Sequence, residues 1–176
     1  ATVLASLVRS SGSSEEFARR LAGPIYEENS GVTRFILVSL ARKAMTNESM
    51  IDLWTRIPVG RDKSQYLWTI EHILPQGEKL PQGWVAMLGG ADNAARVQGE
   101  HAHRLGNLTI TGYNSTLGNL PFSEKRDRRD KNDNFVGYKN GLSLNEELKD
   151  RDHWGEAEIE ARTERLVREA TELFSL

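Results

Sequence analysis

A chain of 176 residues suits one domain, or one core with a helical extension. Its 38% hydrophobic and 27% charged residues fit a soluble globular protein, and no apolar run approaches the ~18 residues of a membrane helix. The net charge is only −2, and the absence of cysteine excludes disulfides, thiolate zinc sites and cysteine nucleophiles.

In chain order, residues 1–12 set small and polar residues around Leu4, Leu7 and Val8, as in a helix end or a linker remnant. Ser13-x-x-Glu16 has capping-box spacing and opens a short helix that stops near Gly23-Pro24. Val32, Phe35, Ile36, Leu40 and Ala44 recur at helical spacing and predict an amphipathic helix over 31–46. Leu53-Trp54 and Ile57-Pro58 lead into a polar turn at Gly60-Arg61-Asp62. Tyr66 to Leu74 alternates partly and is rich in β-formers, so it reads as a strand ending at Pro75. Residues 76–102 are too long for a structureless loop, and one or two short helices are expected there around Trp84. Leu105 to Thr111 reads as a second strand, followed by a helix near Asn114 and another near Ser123. Ile159, Thr163, Leu166, Val167, Ala170, Leu173 and Phe174 form one apolar stripe over 156–174, which is core packing.

The small net charge hides an asymmetry. Residues 101–131 hold six Lys/Arg against three Asp/Glu, whereas residues 145–176 hold five against ten. Phosphate binding follows local rather than total charge, so the middle of the chain is the candidate face. The basic run Lys125-Arg126-Asp127-Arg128-Arg129 lies there, although one helix face cannot carry all four cations.

The same region carries a catalytic pattern. Glu71-His72 closes the first strand, and His103-Arg104-Leu105-Gly106-Asn107 and Asn114 follow about thirty residues on. Hydrolysis of a phosphodiester needs an activated water and stabilisation of the charge on the phosphorane and the leaving oxygen. A histidine near neutral pKa can take the water's proton, worth roughly 10²–10⁴-fold in rate. A divalent cation can serve both oxygens, given hard oxygen ligands and open positions. Glu71 can supply a carboxylate and Asn114 a carbonyl oxygen, with His72 as base if the strand end twists enough to aim both inward. Asn107 can hold a loop or orient the histidine. Oxygen ligands without cysteine favour Mg²⁺ or Mn²⁺ over Zn²⁺.

Strand with Glu-His, strand with Asn, then helix with Asn is similar to the ββα-metal, or HNH, nuclease pattern. The strings Ile70 to Gln76 (IEHILPQ) and His103 to Thr109 (HRLGNLT), with Asn114, Asn119, Phe122 and Lys125-Arg126, resemble the C-terminal nuclease domain of GmrSD-type enzymes. Trp54 and the Ile159–Arg162–Leu166 ending extend the resemblance over roughly residues 30–175. It implies a prokaryotic, cytoplasmic, metal-dependent DNA endonuclease of a phage-defence system that restricts modified DNA. It also implies a ParB-like nucleotide-binding sensor domain as partner, so this chain, which starts at Ala1, is expected to be an excised nuclease domain. His72 would be the general base, Glu71 and Asn114 the metal ligands, and Asn107 the residue positioning the base.

The expected fold is mainly α with a small β-hairpin, a ββα-metal (His-Me finger) core embedded in a helical domain. Residues 61–135 would form that core, with 1–60 and 136–176 packing on it. Around the site, His103 touches metal or phosphate, or else pairs with a backbone group. Asn119 is a helix C-cap or a site residue. Arg104, Lys125 and Arg126 are phosphate-binding or supporting residues, while His101 and His153 carry no functional reading. A monomer with one such site would nick. Two other functions stay open: an HNH relic that binds DNA without cutting it, and, with no aromatic platform to support it, a nuclease acting on RNA.

Overall fold

The fold is built on two apolar clusters, and the chain passes from one to the other at the end of a short β-hairpin. The computed structural model describes residues 13–174, and the expected helix end around Leu4 to Val8 lies outside them. Helix α1 (Ser14–Leu21) starts where the Ser13 hydroxyl accepts from the Glu16 amide, satisfying one of the helix's unpaired donors. After the single turn α2 (Ile25–Glu28), Asn29 caps helix α3 (Ser30–Lys43) in the same way. Two three-residue strands, β1 (Arg56–Pro58) and β2 (Ser64–Tyr66), pair antiparallel around the expected turn.

Strand β3 (Thr69–His72) pairs antiparallel with β4 (Leu108–Thr111), in the register Glu71 to Thr109 and His72 to Leu108. Helices α4 (Gln82–Met87) and α5 (Ala91–His101) fill the long connection between them. The short helices α6 (Asn114–Leu117) and α7 (Phe122–Asp127) follow β4, and α8 (Glu156–Leu173) closes the described chain. Among the described residues no helix is long and apolar enough to cross a membrane.

The first cluster joins Phe17 and Leu21 of α1, Ile36, Leu37 and Leu40 of α3, Leu108 and Ile110 of β4, and Leu166 and Ala170 of α8. The second joins Ile73 and Leu74, just beyond β3, to Trp84, Val97, Phe122, Trp154 and Ile159. Burial of this kind contributes about 25 cal/mol per Å² of apolar surface, so both clusters clamp the hairpin that separates them. Arg162, fully buried on α8, donates to the Gly106, Leu108 and Leu144 carbonyls and pairs with Glu147. Close packing there explains Gly106, since a Cβ would lie 2.1 Å from the Ile159 carbonyl oxygen.

Mainly helical structure with small antiparallel hairpins agrees with the sequence reading, but four details differ. The first expected strand is split, because Tyr66 pairs in one hairpin and Thr69 onward in another. The second is shortened, because Leu105–Asn107 form a 3-10 turn that Arg162 holds by the Gly106 carbonyl. The helix expected over 31–46 ends at Lys43. Leu173, expected in the core stripe, is 37% exposed because the helix ends there.

Candidate active site

Strand geometry alone would send Glu71 and His72 to opposite faces. The strand stops at His72, and Ile73-Leu74 turn down into the second cluster. As a result both side chains line one cavity of about 160 Å³, together with Tyr26, Gln76, Asn114 and Asn119. Four of the residues singled out in the sequence therefore meet at one place.

Glu71 is almost fully buried, and its Oε1 accepts from the Lys125 ammonium at 2.6 Å. Lys125 donates as well to the His72 and Ile73 carbonyls, at 2.7 and 3.1 Å. Burial pushes the Glu71 carboxyl up to about 7 against the opposing pull of Lys125. It pushes the Lys125 ammonium down against the pull of Glu71. The three oxygens around the Lys125 nitrogen match the three donors of a charged ammonium, so the geometry accommodates an ionic pair. Glu71 Oε2 accepts no hydrogen bond from a described residue. Lys125 is thus lost from the expected phosphate-binding run: its side chain is fully buried and meets no solvent.

The His72 ring packs edge-on to Tyr26, with centroids 4.6 Å apart. Its Nε2 lies 3.3 Å from His103 Nδ1, and the His103 ring lies nearly parallel to the Tyr26 ring, with centroids 5.7 Å apart. Burial holds the His72 ring far below the ordinary histidine value, at about 3, and the His103 ring and Lys125 ammonium act in the same direction. The ring is therefore neutral at physiological pH, with a free lone pair, but it is a weaker base than the near-neutral histidine expected from the sequence, because burial penalises its charged form. Because the folded value lies below the unfolded one of about 6.5, the ring's contribution to stability is complete above about pH 6.5. It is lost as pH falls toward about 3. In ring-nitrogen NMR spectra His72 is expected to stay neutral from pH 8 to about 5; a midpoint near 6.5 would show that burial does not control it.

Asn107 lies wholly inside the protein. Its Oδ1 accepts from the Leu74 amide (2.8 Å) and the Trp154 indole (3.1 Å), and its Nδ2 donates to the Leu74 and Ala102 carbonyls. It thereby ties down the turn that follows His72 and does not touch the ring. Asn114 donates through Nδ2 to the Ile70 carbonyl at 2.7 Å, which leaves its oxygen as the unengaged end. Asn119 follows Gly118, which takes the helix C-cap position with φ 38°, and its side chain borders the cavity. Arg104 donates to the Glu100 carbonyl and lines a separate groove beside α8. Arg126 is tied to Asp127, Asp152 and the Arg151 carbonyl.

A family model described as "GmrSD restriction endonucleases, C-terminal domain" matches residues 12–169. The chain belongs to that family. No curated protein and no solved structure matches it. Family membership makes this GmrSD C-terminal domain a nuclease domain of the restriction-endonuclease type with DNA as substrate.

Two participants of this GmrSD domain's site escaped the sequence reading. Tyr26 comes from the single turn α2, and Trp154 braces Asn107 from just before α8. Neither sits in a motif, and only tertiary packing brings them in. His101, read as structural, meets Glu156 and Glu100 through Nε2 at 3.3 and 3.7 Å. These three offer ligand atoms close together, but Arg96 already bridges both carboxylates. The buried Nδ1 of His101 has no partner among the described residues.

Proposed function

We propose that this domain hydrolyses DNA phosphodiester bonds as a ββα-metal nuclease that nicks, with His72 as general base and Glu71 and Asn114 as ligands of Mg²⁺ or Mn²⁺. The observation that carries the reading is the shared cavity. One anionic oxygen donor and one neutral one lie beside a buried, neutral imidazole. That donor set fits a hard divalent ion, and β3, β4 and α6 then serve as the ββα unit. When bound, the ion would supply Lewis-acid stabilisation of the non-bridging and leaving oxygens.

The chain's own residues divide the remaining work. With the Nε2 proton of His72 donated to His103 Nδ1, His72 Nδ1 is the atom that takes a proton from water. The hydroxide so formed attacks phosphorus, the P–O3′ bond breaks, and the 3′ oxygen takes a proton from solvent. The products are a 3′ hydroxyl and a 5′ phosphate. Asn107 holds the turn behind the base, and Lys125 supports Glu71. Asn119 borders the site, whereas Arg126 stands outside it with its charge already paired. Residues 61–135 form the nuclease core in this reading, and the ParB-like nucleotide-binding domain is the partner that licenses cutting in the cytoplasm.

A second reading, a relic that binds DNA without cutting, is favoured by the Lys125 charge already neutralising Glu71. Supercoiled plasmid separates the two. Nicked circles are expected with Mg²⁺ or Mn²⁺ and none in EDTA. Retardation of the plasmid with no nicks in any divalent ion would establish the relic.

A further inference from the structure

Lys125 is an unusual filling for a core position. Its backbone is fixed from both sides: Phe122 of the same short helix sits in the second cluster, and the Lys125 carbonyl accepts from the Tyr138 amide. Gly137 lets that segment approach, since a Cβ there would lie 1.9 Å from the Lys125 carbonyl oxygen. From this anchored base the ammonium gives its three protons to Glu71 Oε1 and to the His72 and Ile73 carbonyls. A methionine of similar volume would fill the space and need no desolvation of charge, so an ion pair here is no device for stability alone. What the ammonium adds is direction. Its three donors can be met together only when the carboxylate and both carbonyls stand in one arrangement.

We propose that Lys125 is a positioning residue of the site, a resident cation that holds Glu71 by one oxygen and the turn after His72 by two carbonyls. This leaves Glu71 Oε2 for a divalent ion and keeps the His72 ring at the cavity. The inference rests on the reading of Glu71 as a metal ligand. It has a consequence apart from catalysis: without Lys125, no cation of the described residues is left beside the buried carboxylate, and a divalent ion can take that place.

The test is thermal unfolding of the wild-type chain, Lys125→Met, and the Glu71→Gln/Lys125→Met double variant, each in EDTA and in saturating Mn²⁺. In EDTA, K125M is expected to melt on the order of 10 °C below wild type, because a buried charge has lost its partner. Mn²⁺ should restore most of that loss and shift wild type far less. The double variant should melt between K125M and wild type, since it removes the stranded charge but still leaves the His72 and Ile73 carbonyls without their donor, and it should not respond to Mn²⁺. In nicking assays K125M should lose on the order of 10²-fold in kcat, from misplacement of reacting groups, with the KM for plasmid unchanged. Equal Mn²⁺ shifts in K125M and wild type would overturn the inference alone. Wild type that binds no Mn²⁺ by electron paramagnetic resonance would overturn the metal reading and the inference with it. Should K125M not fold, the double variant decides: folding restored supports the pair, and folding still lost assigns Lys125 to the carbonyls alone and overturns the inference.

Discussion

Replacing His72 with alanine is expected to reduce nicking of supercoiled plasmid by at least roughly 10²–10⁴-fold, the usual contribution of a general base. Melting should change by only a few degrees. The ring is neutral and makes one ring–ring hydrogen bond and an edge contact with Tyr26, so its loss strands no buried charge. Activity and thermal melting measured on the same preparation separate a chemical role from a structural one. A variant that nicks at the wild-type rate in Mg²⁺ or Mn²⁺ would remove His72 from the mechanism. A variant that fails to melt cooperatively would mean that the ring is mainly core.

Asn107→Asp should show the opposite balance, a large loss of stability that takes activity with it. The change keeps the shape and replaces the Nδ2 donor with an oxygen. That oxygen would face the Leu74 and Ala102 carbonyls, now 2.9 and 3.0 Å from the amide nitrogen. Three acceptors would meet with no donor among them, and a buried carboxylate would lack a cation. The expected destabilisation is about 3–5 kcal/mol, a fall in melting temperature on the order of 10 °C for a chain of this size. Asn107→Ala should cost less because it adds neither charge nor repulsion, although it unpairs the Leu74 amide and the Trp154 indole as well as the two carbonyls. Denaturant unfolding of both variants checks the order, and an Asp variant as stable as wild type would mean that the amide is not the clamp described above. The distance of Asn107 from the ring matters for interpretation. It acts on His72 through Leu74, so its loss should track stability rather than the pH profile of the base.

Much of the site was legible in the chain. Glu71 and His72 stand together at the end of a β-forming run, and Asn114 and Asn119 follow the second strand closely, so local structure already confines them to one neighbourhood. Helix starts were legible for the same reason. Ser13 accepts from the amide three residues ahead, an interaction that needs no other part of the chain; Asn29 caps α3 in the same local way, although the sequence reading began that helix at residue 31. Strand limits were less legible. Nothing local tells Tyr66 to pair with Arg56 while Thr69 pairs with Thr111, because strand pairing is a contact between distant segments.

The basic run shows the limit most clearly. In the sequence Lys125 and Arg126 are adjacent cations on a presumed phosphate face. In the fold one is sealed against Glu71 and the other is held at the surface by Asp127 and Asp152. By itself the sequence determined the residue types of the constellation, the family resemblance and the mainly helical character, since these depend on residue type and near-neighbour spacing. Only the tertiary structure decided which cation is buried, that Asn107 serves the backbone rather than the ring, and that Tyr26 and Trp154 belong to the same assembly. The physical reason is burial: desolvation and partner choice, which set the charge state of His72 and the role of Lys125, come into being only when remote segments exclude water together.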